Sequence, residues 1–326
     1  MQDEPNLDVA HLGHIELLTP SPEKSLRFFV DVLGMTESGR QGDSVFLRGW
    51  DDYERFCLQL TASKTSGLGH AAFRARSPQA LQRRVAALQN SGLAIGWREG
   101  DFGHGAAFRF HDPDGHEIEI YYETQWYEAP PSLRPALKNQ AQRFPARGIN
   151  VRRLDHFNCL AVDIASNRRF FETFLGFRLT EQIVLDDGTE AGMWLTATNK
   201  SYDFAYTREA HGVRGRFHHV TFALDSREEV LRAADIFLEA GVFIETGPQG
   251  ATTAQLLERL PRGGLSVSGV ECLNAPNPNF RFGSTRAGCD DLSASSDLTV
   301  SNGGIAAVQR DAVDDRNAPI LVTRPH

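Results

Sequence analysis

In LGHIELLTPSPEKSLRFFVDVLGMTE (12–37) a short apolar run gives way to a polar turn. Apolar residues then recur at helical spacing, Leu26, Phe29, Val30 and Leu33, up to Gly34. The pattern predicts a strand, a turn, an amphipathic helix and a glycine stop. LDHFNCLAVDIASNRRFFETFLGFRLTE (154–181) repeats it, with Phe170, Phe171, Phe174 and Leu175 on one helical face and Gly176 as the stop. A second pair, LGHAAFRARSPQALQRRVAALQNSGL (68–93) and FHHVTFALDSREEVLRAADIFLEAGV (217–242), follows the same order. The repeats predict an α+β fold of four βαβββ modules arranged as two tandem halves. The first half is expected over 8–126 and the second over 151–282, with a linker at 127–150 where four prolines interrupt all periodicity.

Composition changes the picture at one place. The chain has 31 aromatic residues, and past Gln249 only Phe280 and Phe282 remain. The Ser-, Asp- and Gly-rich stretch that follows reads either as a flexible tail, expected over 283–326, or as an altered reading frame. A net charge of −8 gives no electrostatic reason to expect nucleic acid or an anionic membrane as partner. The absence of a long apolar run, of a signal-peptide pattern and of CxxC spacing among the four cysteines points to a cytoplasmic protein.

The candidate chemistry lies where the modules begin. Each opens with a histidine on its first strand: His14, His70, His156 and His219. Two histidines and a carboxylate on one face of an ion are the ligands of non-haem Fe(II) oxygenases, which leave the other face open for substrate and O2. In FRFHDPDGHEIEIYYE (108–123) Glu117 and Glu119 share a strand face, and Glu119 completes the set His14, His70, Glu119. In the second half the acid at matching reach from His156 and His219 is Glu271. Strand alternation in RFHHV turns His218 to the face opposite His219. His104, on a glycine-rich loop, is expected as an exposed turn residue, or as the supporting group beside the ion were it held in the first half, and His111, His116 and His211 are expected as surface turn residues.

The module order, with RLDHFN, FHHVTFAL and GVECL, resembles the two-domain extradiol catechol 2,3-dioxygenases (metapyrocatechases) of the vicinal oxygen chelate superfamily. The resemblance implies Fe(II), with Mn(II) suited to the same ligands. It implies the ion in the second half, on His156, His219 and Glu271, and an ancestral duplicate in the first. It further implies catechol and O2 as substrates, a 2-hydroxymuconic semialdehyde as product, a role in the breakdown of aromatic compounds, and homo-oligomers. The family's acid–base histidine is replaced by Tyr202, and Trp194, Phe204 and Tyr206 are the candidate pocket walls. Ala251 and Pro261 stand where the family has a histidine and a tyrosine. Two other activities use the same module: metal-free ligand sequestration of the bleomycin-resistance kind, and metal-dependent isomerisation of the glyoxalase kind.

Overall fold

The computed structural model describes residues 7–242, 244–246, 269–273 and 305–307. The first half contains β1 (Val9–Thr19), α1 (Pro22–Arg27), β2 (Thr36–Gln41), β3 (Ser44–Arg48) and β4 (Leu58–Ala62), then β5 (Gly67–Ala75), α2 (Pro78–Gln89), β6 (Ala94–Arg98), β7 (Ala107–His111) and β8 (Glu117–Tyr121). The second contains β9 (Arg153–Ala161), α3 (Ile164–Phe170), β10 (Arg178–Val184), β11 (Glu190–Thr196) and β12 (Phe204–Arg208). After these come β13 (Arg216–Ala223), α4 (Arg227–Glu239), β14 (Ile244–Thr246), β15 (Gly269–Leu273) and β16 (Ile305–Ala307). This is βαβββ four times over.

Each half forms one eight-stranded sheet, ordered β2-β3-β4-β1-β5-β8-β7-β6 and β10-β11-β12-β9-β13-β15-β16-β14. The first strands of paired modules, β1 with β5 and β9 with β13, lie antiparallel at each sheet centre. That arrangement brings the four module-opening histidines together two by two. The halves differ in the last module: β8 runs parallel to β5, whereas β15 runs antiparallel to β13. The second sheet also takes β16 from 305–307, inside the stretch expected to be an irregular tail. The other residues of that stretch lie outside the described residues.

The two doubled-Phe helices share a local structure that 3.6-residue periodicity does not show. Both α1 and α3 widen into a π-turn, over Phe28–Val32 and Phe171–Leu175. Gly34 and Gly176 then stop them with φ of +77° and +74°, a left-handed conformation that glycine adopts without strain.

One contiguous core joins the halves. Phe73 of β5 meets Phe157, Phe171, Phe177 and Phe204, with ring centroids 5.1 to 6.5 Å away. Phe28 stacks on Phe237, Phe29 meets Phe222, and Phe170 packs on Phe110. The first helix of each half thus covers part of the other half. No helix among the described residues is long and apolar enough to cross a membrane.

Candidate active site

His14 on β1, His70 on β5 and Glu119 on β8 converge, although 105 residues separate the outer two. The ladder explains why. His14 pairs with Ala72, and Ala72 pairs with Glu119, so all three side chains stand on one face of adjacent strands. His14 Nε2 lies 3.1 Å from His70 Nε2 and 3.3 Å from Glu119 Oε1, and His70 Nε2 lies 3.7 Å from Glu119 Oε1. One ligand atom from each falls within 4.8 Å of the others, and all three residues are buried.

The surrounding groups orient the trio. Glu16 Oε2 accepts from His70 Nδ1 at 2.8 Å, which fixes the tautomer and turns Nε2 towards Glu119. Arg109 donates to Glu119 Oε2 at 3.0 Å and to Glu117 at 2.5 Å. Glu119 Oε1, fully buried, makes no well-formed hydrogen bond, and three histidine nitrogens lie 3.3 to 3.7 Å from it. A buried carboxylate oxygen left among imidazoles is the arrangement a divalent cation would satisfy.

The charges divide accordingly. Burial lowers the pKa of His14 to about 4, so it is neutral. Burial also disfavours the charged form of His70, but the carboxylates of Glu119 and Glu16 outweigh it and raise the pKa. Burial would raise that of Glu119, yet His70 and His14 hold it far below the usual carboxylate range.

Two glycines make this possible. Gly13 and Gly69 fall at register shifts of the β1–β5 ladder, each immediately before its histidine. A Cβ on Gly69 would lie 2.1 Å from Glu16 Oε2, and one on Gly13 would lie 2.0 Å from Tyr121 Oη. Glu16, Gly69, Arg109 and Tyr121 carry no call from the sequence. The signal for Glu16 is its place two residues after His14, on the same strand face. His104, expected at the surface, is buried instead. It stacks on His14 with centroids 5.1 Å apart, and its Nε2 lies 3.7 Å from Glu119 Oε1. The glycines around it, at 100, 103 and 105, let the loop fold inward.

The second half brings His156 and His219 together, with ring centroids 5.5 Å apart and both buried. Asp155 Oδ2 lies 2.8 Å from His156 Nδ1, and Thr221 Oγ1 lies 3.1 Å from His156 Nε2. Burial raises the pKa of Asp155, but Lys200 and His156 bring it down to about 2. Burial, then His218 and His156, push the pKa of His219 well below the ordinary value. Glu271 pairs with Thr221, which pairs with His156, so its backbone holds the ladder position that Glu119 holds in the first half. The Glu271 side chain lies outside the described residues, as do Ala251 and Pro261.

Other expectations are corrected by packing. His218 does not simply alternate away from His219. It sits in a bulge, with its Nδ1 2.8 Å from that of His219. Phe204 and Tyr206 do not wall the second-half histidines. Phe204 stacks on Phe157 at 5.4 Å, and Tyr206 donates to Asp112 Oδ2, so both belong to the core between the halves. Tyr202 does meet His156, edge-on at 4.7 Å, and Trp194 lies 6.4 Å from Tyr202. His116 is buried rather than exposed, held by Asp112 and the Arg216 carbonyl, while His111 and His211 are exposed.

The chain is similar to known proteins. The model of the Glyoxalase/Bleomycin resistance protein/Dioxygenase superfamily matches residues 11–120 and 153–257. The metapyrocatechase of Geobacillus stearothermophilus is 41% identical over 245 residues, covering 75% of each chain. The manganese-dependent 2,3-dihydroxybiphenyl 1,2-dioxygenase of Geobacillus genomosp. 3 is 36% identical, over 74% of this chain and 78% of that one. The crystal structure of the 2,3-dioxygenase LapB from Pseudomonas sp. KL28 superposes with a TM-score of 0.67 at 29% identity, over 74% of this chain and 84% of its own. The chain belongs to the glyoxalase/bleomycin resistance protein/dioxygenase superfamily and, within it, to the ring-cleaving extradiol dioxygenases of the metapyrocatechase type.

Proposed function

We propose that this dioxygenase opens the ring of a catechol beside its hydroxyls, and that its catalytic Fe(II) or Mn(II) is held in the first half by His14, His70 and Glu119. Both atoms of O2 enter the product, a 2-hydroxymuconic semialdehyde when the substrate is catechol itself. The observation that carries the address is the buried, unsatisfied Oε1 of Glu119 within 3.7 Å of both histidine nitrogens. The metal named for one relative, manganese, suits the same donors as iron.

When bound, the ion supplies a Lewis acid that makes a catechol hydroxyl acidic near neutrality and holds the ring beside O2. The chain supplies the rest. Glu16 keeps the proton of His70 on Nδ1, and Arg109 pins the second oxygen of Glu119. His104 donates from Nδ1 to the Gly105 carbonyl at 2.8 Å, which leaves Nε2 facing the trio as a seat for the hydroxyl proton. Phe56, 4.6 Å from the His14 ring, keeps water from that side.

A second address has its own support. His156, His219 and Glu271 share the ladder positions of the first trio, and the resemblance in sequence points there. Single alanine variants at His70 and His219 separate the two. His70→Ala is expected to lose bound metal and ring cleavage with the fold retained, and His219→Ala to keep both. The reverse result moves the centre to the second half. The reaction is assigned to the cytoplasm, where the buried thiols of Cys57 and Cys159 stay reduced. Homo-oligomers remain the expectation from the resemblance.

A further inference from the structure

Glu16 aims His70, and Glu16 is itself held from the far side. Thr61 Oγ1 donates to Glu16 Oε1 at 2.6 Å, and Gln59 Nε2 donates to the same oxygen at 3.0 Å. Ser44 Oγ lies 2.7 Å from Thr61 Oγ1 and 3.0 Å from Gln59 Nε2. The single hydroxyl proton of Thr61 goes to Glu16, so Ser44 must donate to Thr61 and accept from Gln59. The donors therefore run in one direction, towards Glu16. A carboxyl that meets donors from His70, Thr61 and Gln59 is in its ionised, acceptor-only form. Three strands supply the group: Glu16 on β1 pairs with Gln59 on β4, and Thr61 on β4 pairs with Ser44 on β3. Gln59 and Ser44 are buried.

The second half provides the contrast. Its equivalent ladder positions hold Asn158, Ala205, Thr207 and Gly192 in place of Glu16, Gln59, Thr61 and Ser44. Asn158 donates to Thr207 at 2.9 Å, the reverse of the Thr61 bond, and neither Ala205 nor Gly192 has a polar side chain. The donor run thus stands in the half that holds His14, His70 and Glu119, and the matching positions of the other half cannot form it. Resting on the first-half address proposed above, we infer that Ser44, Gln59 and Thr61 are positioning residues of the metal centre. They act through Glu16 to hold His70 with its proton on Nδ1 and its Nε2 lone pair free for the ion. An ionised acceptor fixed from two sides gives the ring one orientation and makes it a stronger ligand, and a carboxylate free to turn would do neither.

The test titrates the metal-free full chain with Mn(II) and follows the unbound ion by electron paramagnetic resonance. Thr61→Val removes the proton and keeps the shape, and should weaken Mn(II) binding about tenfold, the lower end of what losing an outer hydrogen-bond partner costs. Thr61→Ser should restore it. Gln59→Met removes the second donor and should also cost about tenfold, so the result does not depend on one variant. The decisive measurement repeats Thr61→Val in a Glu16→Ala chain. There it should cost nothing further, because Thr61 works through Glu16, whereas a purely structural loss appears in both backgrounds. Unchanged binding in Thr61→Val and Gln59→Met, or an equal loss with and without Glu16→Ala, overturns the inference and leaves the first-half address standing. Mn(II) binding that survives His70→Ala overturns that address and this inference with it.

Discussion

The decisive residues of the site include two that have no side chain. Gly69 leaves the space through which the Glu16 carboxylate reaches His70, and a methyl there would overlap it. Gly69→Ala is therefore expected to displace Glu16, free the His70 ring and weaken metal binding by about 10- to 100-fold, as loss of a ligand's hydrogen-bond partner does. Glu16→Gln should behave alike, and metal titration of both variants checks it. Binding equal to that of the unsubstituted chain would remove Glu16 from the design. At this scale the sequence shows the ligands better than their supports. The repeat marks His14 and His70 because histidines recur at module starts, and Glu119 stands on the strand that closes the second module. Glu16 acts across the β1–β5 ladder, whose register is shifted by bulges, and Arg109 across the β7–β8 ladder, and neither register is written in local spacing. His104 lies inward for a related reason, since a glycine-rich loop looks solvent-facing until the strands it folds over are known.

At the scale of elements the reading is more complete. Strand, turn, helix and glycine stop occur in every module, because periodicity and capping are local. Ser77 and Ser226 cap α2 and α4, each accepting from the backbone N–H three residues on. Ser77→Ala should cost about 1 kcal/mol, readable in a thermal melt. The π-turns and the last-module strand order lay beyond the pattern. A π-turn is a choice of hydrogen-bond partner within an unchanged apolar stripe. Whether β15 runs with or against β13 depends on a connection that the hydrophobic pattern does not encode.

Across the whole molecule the halves are fastened by a buried polar clasp. Asp114 accepts from the backbone N–H groups of Val162 and Asp163, from Asn167 at 2.6 Å and from Arg214 at 2.9 Å. His116 offers one ring nitrogen to Asp112 at 2.7 Å and the other to the Arg216 carbonyl at 2.9 Å. With an acceptor oxygen facing each ring nitrogen, the contacts favour the imidazolium. Burial opposes that charge, but Cys159 and Asp112 raise the pKa well above 6.5. Asp112, Asp114, Cys159 and Tyr206 are the titratable groups around it. A raised folded-state value stabilises fully below about pH 6.5 and fades as pH rises through that higher value. Melting curves across neutral and alkaline pH should show this loss in the unsubstituted chain and a flatter profile in His116→Gln. Equal slopes would deny the imidazolium its part.

The strand that presents His70 to the trio turns Phe73 the opposite way, into four rings of the other half. The described part of the second half therefore backs the strand that carries the proposed trio. A first half severed from it would keep His14, His70 and Glu119 and lose the wall that holds β5 in place. Duplication in this chain doubled a chemical motif, and through Phe73 it also made each copy the other's scaffolding.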